Sequence, residues 1–252
     1  MKKTLSLIKL GKARDAAGLP RLELTHHLVF TGNPGTGKTT VARIIGRIYR
    51  NMGLLKSGHL VEVDRGDLIA SYTGQTPPLV KEVVERATDG VLFIDEAYSL
   101  AQARDGHDNY GAEAIATLLK LMEDRRGRLV VFAAGYRAEM ATFINSNPGL
   151  ASRFKTFIDF PDYTSEEMME ILMNICNAAG CQMSMDAMRK AAAVMMKIDH
   201  AQNPGNGRAV RNLFEECVAR QALRLAERGQ YGVVDLTMIE ADDVPALEEM
   251  RM

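Results

Sequence analysis

Three short apolar runs punctuate the first two thirds of the chain: "HLVFTG" (27–32), "GVLFIDEA" (90–97) and "LVVFAAGY" (129–136). Each is too short for a helix and apolar throughout rather than alternating, the pattern of a strand buried on both faces. "GHLVEVD" (58–64) and "TFIDFPD" (156–162) read as two further strands. Between them lie stretches of helical period: "TTVARIIGRIYRNMG" (39–53), "PPLVKEVVERATDG" (77–90), "GAEAIATLLKLMEDRRG" (111–127) and "RAEMATFINSN" (137–147). Strand and helix in alternation predict right-handed crossovers and an α/β fold, a parallel sheet covered on both faces.

After Asp162 the alternation stops. "SEEMMEILMNICNAAG" (165–180) reads as a helix with Ser165 at its N-cap, Met168 in the apolar face and Gly180 as the stop. "SMDAMRKAAAVMMKI" (184–198) and "GRAVRNLFEECVARQALRLAERGQ" (207–230) continue as helices. Eight methionines between 168 and 196 give this region soft packing material. The tail "DDVPALEEMRM" is charged and expected to fray. At the front, "MKKTLSLIKLGKARDAAG" reads as an exposed amphipathic helix with Leu5, Leu7 and Ile8 on one side; Lys9 and Lys12 break it before it could serve as a signal-peptide core. It begins without an N-cap, as a chain cut inside a longer helix would. The expected organisation is a linker helix over 1–20, an α/β core over 21–162 and an all-helical domain over 163–252.

At 252 residues the chain is long enough to bury a substantial core. Its net charge of -1 gives no electrostatic case for nucleic acid or an anionic membrane as the main partner. No segment approaches the roughly 20 apolar residues that span a bilayer. Cys176, Cys181 and Cys217 are odd in number and form no C-x-x-C pair, which argues against a disulfide framework or zinc site and for a reducing, cytoplasmic location.

The chemistry concentrates at the ends of the apolar runs. Gly32-Asn33-Pro34-Gly35-Thr36-Gly37-Lys38-Thr39 fits G-x-x-x-x-G-K-[ST], follows a strand and opens a helix. In that context the glycines let backbone N–H groups wrap phosphates and the helix N-terminus adds partial positive charge. Lys38 then reaches the β/γ oxygens and Thr39 offers a hydroxyl to Mg²⁺; Thr40 completes the binding segment. "VLFIDEA" places Asp95 and Glu96 at the C-terminal edge of a buried strand, where open α/β sheets bind ligands. Asp95 is the expected second Mg²⁺ ligand and Glu96 the residue that polarises an attacking water. The loop "SYTGQTPP" (71–78) suits neither helix nor strand, yet carries an aromatic.

"GNPGTGKTT" with "VLFIDEAYSL" resembles the AAA-plus ATPases, and "GLLKSGHLVEVDRGDLIASYTGQT", "AGY", "SNPGLASRF" and "FPDY" narrow the resemblance to the CbbX/CfxQ branch, over about residues 20–225. The branch includes red-type rubisco activases, stage V sporulation protein K and the EccA ATPases. The resemblance implies a P-loop NTPase αβα sandwich, a five-stranded parallel sheet of order 5-1-4-3-2, a C-terminal helical lid, and self-association into a ring, usually a hexamer. It implies that Arg153 is an arginine finger acting on a neighbouring subunit and Arg208 a sensor-2 arginine reading the γ-phosphate. Tyr72-Thr73-Gly74 matches pore loop 1, an aromatic grip on a passing polypeptide. Plain structural roles stand beside these: a surface position for Arg153, and helix-face pairing of Arg208 or Arg211 with Glu215 or Glu216.

Two departures stand out. The fourth strand ends Ala133-Ala134-Gly135-Tyr136 where many AAA-plus proteins carry a polar sensor-1 residue, which leaves Tyr136 as a substitute. Family members also carry an upstream segment with a "GL..VK"-like stretch that contacts adenine, and this chain starts about where it should end. The expected function is an ATP-hydrolysing, Mg²⁺-dependent protein remodeller with a protein client; rubisco, sporulation and secretion roles fit the residues equally. The alternative is an ATP-dependent switch or scaffold that docks a partner without threading it. Nucleic-acid motors and clamp loaders share the core, but the balanced charge and short helical C-terminus argue against them.

Overall fold

The computed structural model describes residues 6, 10–11, 13–14, 17–19, 25–70, 72, 74–102, 110–199, 205–246 and 249. Leu5, Leu7, Ile8, Lys9, Lys12 and Thr73 lie outside the described residues. The chain forms two compact units, and the division is not a single cut: the first holds the chain up to Gly32 and Lys38–Phe160, the second Asn33–Gly37 and the chain from Pro161.

In the first unit, β1 (Leu28–Thr31), β2 (Leu60–Val63), β3 (Val91–Ile94), β4 (Val130–Gly135) and β5 (Thr156–Asp159) form one parallel sheet of order β2-β3-β4-β1-β5. This is the expected order. The inner strands β1, β3 and β4 are wholly buried, as their apolar runs require, whereas the edge strands β2 and β5 are partly exposed.

Successive side chains go to opposite faces, and each face has its own core. Leu28, Phe30, Val91, Phe93, Val130, Phe132 and Ala134 pack with Ala42, Ile45 and Tyr49 of helix α1 (Lys38–Asn51). Phe30 stacks on Phe132 with ring centroids 5.2 Å apart. On the other face Val29, Leu92, Ile94, Val131 and Ala133 pack against further helices. These are the short α2 (Arg65–Leu68), α3 (Thr76–Ala87), α4 (Tyr110–Asp124), α5 (Arg137–Asn145) and α6 (Pro148–Arg153). The sequence pattern missed α6, which Asn147 starts by accepting the Gly149 N–H at 2.7 Å with Pro148 in the first turn.

A buried histidine closes the lower end of β4. The ring Nδ1 of His27 accepts the backbone N–H of Val131 at 3.0 Å, and the ring packs against Phe154.

The second unit is built on α7 (Ser165–Ala178), α8 (Met185–Asp199), α9 (Asn206–Arg228) and α10 (Val233–Thr237). The cap of α7 is Thr164 rather than Ser165: its hydroxyl accepts the N–H of Glu167, whose carboxylate accepts the N–H of Thr164. The helices carry one addition, a two-residue parallel pair of β6 (Gln182–Met183) with β7 (Met238–Ile239). Of the clustered methionines, Met168, Met183 and Met195 are in the core, with Cys176, Leu172, Val210 and Leu213, while Met185 and Met196 are exposed.

The expected fraying of the tail is corrected at its start. Asp243 and Val244 are buried, and the Asp243 carboxylate accepts both Nε and Nη2 of Arg224 at 2.8 and 2.7 Å. A charge that looked solvated in sequence is the buried half of an ion pair. Of the two glutamates considered as partners for Arg208 or Arg211, Glu216 accepts from Arg220, one turn along α9.

Candidate nucleotide site

In the first unit β1 delivers the start of the glycine loop. The Thr31 hydroxyl donates to Asp159 at 2.9 Å, and a Cβ on Gly32 would fall 2.2 Å from the carbonyl oxygen of Phe160. Only glycine fits there. Lys38 opens α1 and its ammonium donates to the Gly32 carbonyl at 2.8 Å. Thr39 is half-buried and Thr40 exposed. The Thr39 hydroxyl donates to Glu62 Oε1 at 3.3 Å, and Arg43 donates to Glu62 Oε2 at 3.0 Å. Glu62 was not anticipated, because a carboxylate on a half-exposed edge strand looks like ordinary solvation.

Asp95 and Glu96 follow β3 at the C-terminal edge of the sheet, the same edge at which β1 delivers Gly32. The Asp95 N–H still donates to the Val63 carbonyl at 2.9 Å, so its backbone is held in line with the strand. Glu96 is not: it is exposed, with φ +46°, and its N–H donates to Asp95 Oδ1 at 3.1 Å. A left-handed non-glycine residue is a local strain that the surrounding structure must impose.

β4 ends at Gly135 without a side chain, and the space beside it is filled. A Cβ on Gly135 would meet the Tyr98 ring at 2.7 Å. Tyr98 in turn lies 6.1 Å from Tyr136, ring centre to ring centre. Burial, and then the charge of Glu96, push the Tyr98 hydroxyl up to about 12.

Asn33–Gly37, the apex of the loop, belongs with the second unit. Gly35 and Gly37 have φ of +78° and +85°. Four successive carbonyls of the loop have donors: Thr36 Oγ1 on Asn33 (2.8 Å), Asn206 Nδ2 on Pro34 (3.3 Å), Gly207 N on Gly35 (3.0 Å) and the Tyr163 hydroxyl on Thr36 (3.0 Å). Asn33 Nδ2 donates to both oxygens of Asp162, at 3.0 and 2.9 Å. Arg208 is exposed in the first turn of α9, beside Asn206 and Gly207.

Arg153 ends α6 in the first unit. It donates to Glu123 Oε2 at 3.2 Å and to its own helix at Gly149 O, with its side chain 23% exposed. Tyr72, by contrast, is 72% exposed. The stem of its loop is closed where the Ala70 N–H donates to the Thr76 hydroxyl, and Gly74 has φ +77° with open space around it.

Comparison with known proteins agrees with this geometry. The AAA family, "ATPase family associated with various cellular activities", matches residues 28–162, and the AAA lid domain matches 164–252. Stage V sporulation protein K of Bacillus subtilis (strain 168) is 41% identical over 252 residues, 99% of this chain and 78% of that protein. Protein CbbX of Cereibacter sphaeroides is 41% identical over 248 residues, 98% of this chain and 80% of its own. The crystal structure of the FIGL-1 AAA domain matches with a TM-score of 0.63 at 17% identity, over 97% of this chain and 80% of that one, a likeness of fold alone. A parallel sheet of this order, a glycine loop opening a helix, paired carboxylates after β3 and close relatives of one branch together make the chain a member of the AAA ATPases with an AAA lid domain, in the branch of stage V sporulation protein K and CbbX.

Proposed function

We propose that this ATPase is a protein remodeller that works as a hexameric ring in the cytoplasm and grips a polypeptide client with Tyr72. The observation that carries the reading is the tyrosine itself, 72% exposed on a loop with a closed stem and an unhindered glycine two residues on. Holding an aromatic in water has a hydrophobic cost that burial of the ring against the protein body would have removed. A ring of such side chains gives sequence-tolerant contact with an extended chain.

In this reading Gly32–Thr40 cradle the nucleotide phosphates, with Lys38 leaving the Gly32 carbonyl for the β/γ oxygens. Glu96 orients and polarises the attacking water, Arg208 reads the γ-phosphate, and Arg153 leaves Glu123 to reach a neighbouring subunit's site. The Thr39 hydroxyl and Asp95 carboxylate are hard oxygen donors suited to Mg²⁺, which when bound supplies neutralisation of developing phosphate charge. Among the described residues no group of three His, Cys, Asp or Glu side chains is placed to hold a metal. Among the described residues, too, no helix is long and apolar enough to cross a membrane.

The test is stimulation of ATP turnover by a chemically unfolded, carboxymethylated protein. Tyr72→Ala is expected to keep basal turnover and lose the stimulation. Full stimulation in that variant would remove Tyr72 from client contact and favour a switch that docks its partner elsewhere.

A further inference from the structure

The phosphate loop is held from behind by a buried asparagine. Asn206 has no solvent exposure, yet it is polar and sits at φ +51°, a left-handed conformation in which asparagine is tolerated better than most residues. Its Oδ1 accepts the Tyr163 N–H at 2.8 Å, and its Nδ2 donates to Asp162 Oδ1 at 2.8 Å and to the Pro34 carbonyl at 3.3 Å. With Gly207 N on Gly35 O and the Tyr163 hydroxyl on Thr36 O, three consecutive loop carbonyls are held by donors from the Tyr163 and Asn206–Gly207 segments. The fit is close, since a Cβ on Gly35 would fall 2.4 Å from the Gly205 carbonyl.

A peptide unit is planar, so fixing its C=O fixes the direction of the N–H on the following residue. Carbonyls tied at Pro34, Gly35 and Thr36 therefore aim the amides of Gly35, Thr36 and Gly37 the opposite way. Among the described residues those three amides donate to no backbone carbonyl. Successive undonated amides in a glycine loop form a concave anion site.

We infer that Asn206, with Tyr163, is a positioning residue for nucleotide affinity: it pre-aims the loop amides at the phosphates while touching no phosphate itself. The inference rests on the reading of Gly32–Thr40 as the phosphate site. A pre-aimed loop spends no binding free energy on ordering itself, so loss of the clamp should weaken binding and leave the chemical step of the bound complex alone.

The experiment measures MgATP affinity and steady-state turnover for Asn206→Asp, Asn206→Gly, Tyr163→Phe and, as a control, Lys38→Ala. Asn206→Asp keeps the acceptor for Tyr163 but replaces the donor with a carboxylate facing Asp162. Asn206→Gly keeps the left-handed backbone, and Tyr163→Phe removes only the hydroxyl. Each Asn206 variant is expected to raise the Kd and KM for MgATP about tenfold, equivalent to about 1.4 kcal/mol, with kcat at saturation within about twofold of the parent. Tyr163→Phe should raise both constants about threefold, with the melting temperature of the nucleotide-free protein unchanged. If an Asn206 variant fails to fold, Tyr163→Phe decides. Unchanged Kd in the folded variants, or a fall in kcat without a rise in KM, overturns the inference while the loss of binding in Lys38→Ala leaves the phosphate site standing. Retained binding in Lys38→Ala overturns the site reading and the inference with it.

Discussion

Lowering the pH should destabilise the first unit, and the largest single part of the loss between about pH 7 and 5 should come from His27. The imidazole is 9% exposed, accepts the Val131 N–H and packs on Phe154. Burial above all, then the positive charges of His26, Arg153 and Arg126, bring its pKa from 6.5 to about 4. Since the unfolded chain takes up the proton more readily, stability rises with pH in this window. The contribution is complete above pH 6.5, declines as the pH falls towards about 4, and changes little below that. At about 1.4 kcal/mol per unit the whole shift corresponds to about 3 kcal/mol, of which about 2 kcal/mol is lost by about pH 5. The assay is urea unfolding followed by circular dichroism at a series of pH values, for the parent and for His27→Asn. Asparagine can still accept from Val131 but does not titrate. The variant should be uniformly less stable from lost packing, and its pH dependence shallower than the parent's by about 2 kcal/mol between about pH 7 and 5. His26, whose pKa burial also lowers, is present in both proteins, so its contribution largely cancels. Parallel curves for the two proteins would refute the reasoning.

Three further outcomes are expected. Glu96→Gln should bind ATP as the parent does and hydrolyse it about 10²- to 10⁴-fold more slowly, measured by single-turnover kinetics; undiminished turnover would remove Glu96 from the reaction. Arg153→Ala should lower turnover about 10³-fold or more, and mixing it with Glu96→Gln subunits should restore part of it, because the second subunit keeps its finger; no recovery at any mixing ratio would argue against action in trans. Asp243→Ala should destabilise the helical unit by about 3–5 kcal/mol by stranding Arg224, read as a lower urea midpoint; a loss below about 1 kcal/mol would mean that the pair is solvated.

The inner strands were legible in sequence because burial on both faces leaves a continuous apolar run, and β1, β3 and β4 are such runs. The runs extend one to three residues beyond the strands, into flanking residues such as Gly32, Gly90 and 95–97 that leave the sheet. The strand order followed from the family resemblance rather than from the pattern. The residues bearing the phosphate and carboxylate motifs were legible because glycine spacing and paired acids are local features. Glu62, Asn206, Tyr163 and His27 were not, because each owes its role to a partner far along the chain: Asn206 meets Pro34 across 172 positions, and His27 meets Val131 across 104. Polar residues of this kind look like surface until the fold supplies the partner. The tail misled for the same reason, Asp243 being one acid in an acidic stretch until Arg224 comes round to it.

The placement of Asn33–Gly37 with the second unit bears on modularity. The boundary suggested by the strand and helix pattern, at Asp162, would leave a fragment with every residue of the phosphate motif and both carboxylates. That fragment would lack Tyr163, Asn206 and Gly207, the donors that hold the loop's carbonyls. Chimaeras that exchange the helical segment between relatives at this junction would therefore part the glycine loop from the donors that hold its carbonyls, unless residues 33–37 travel with it.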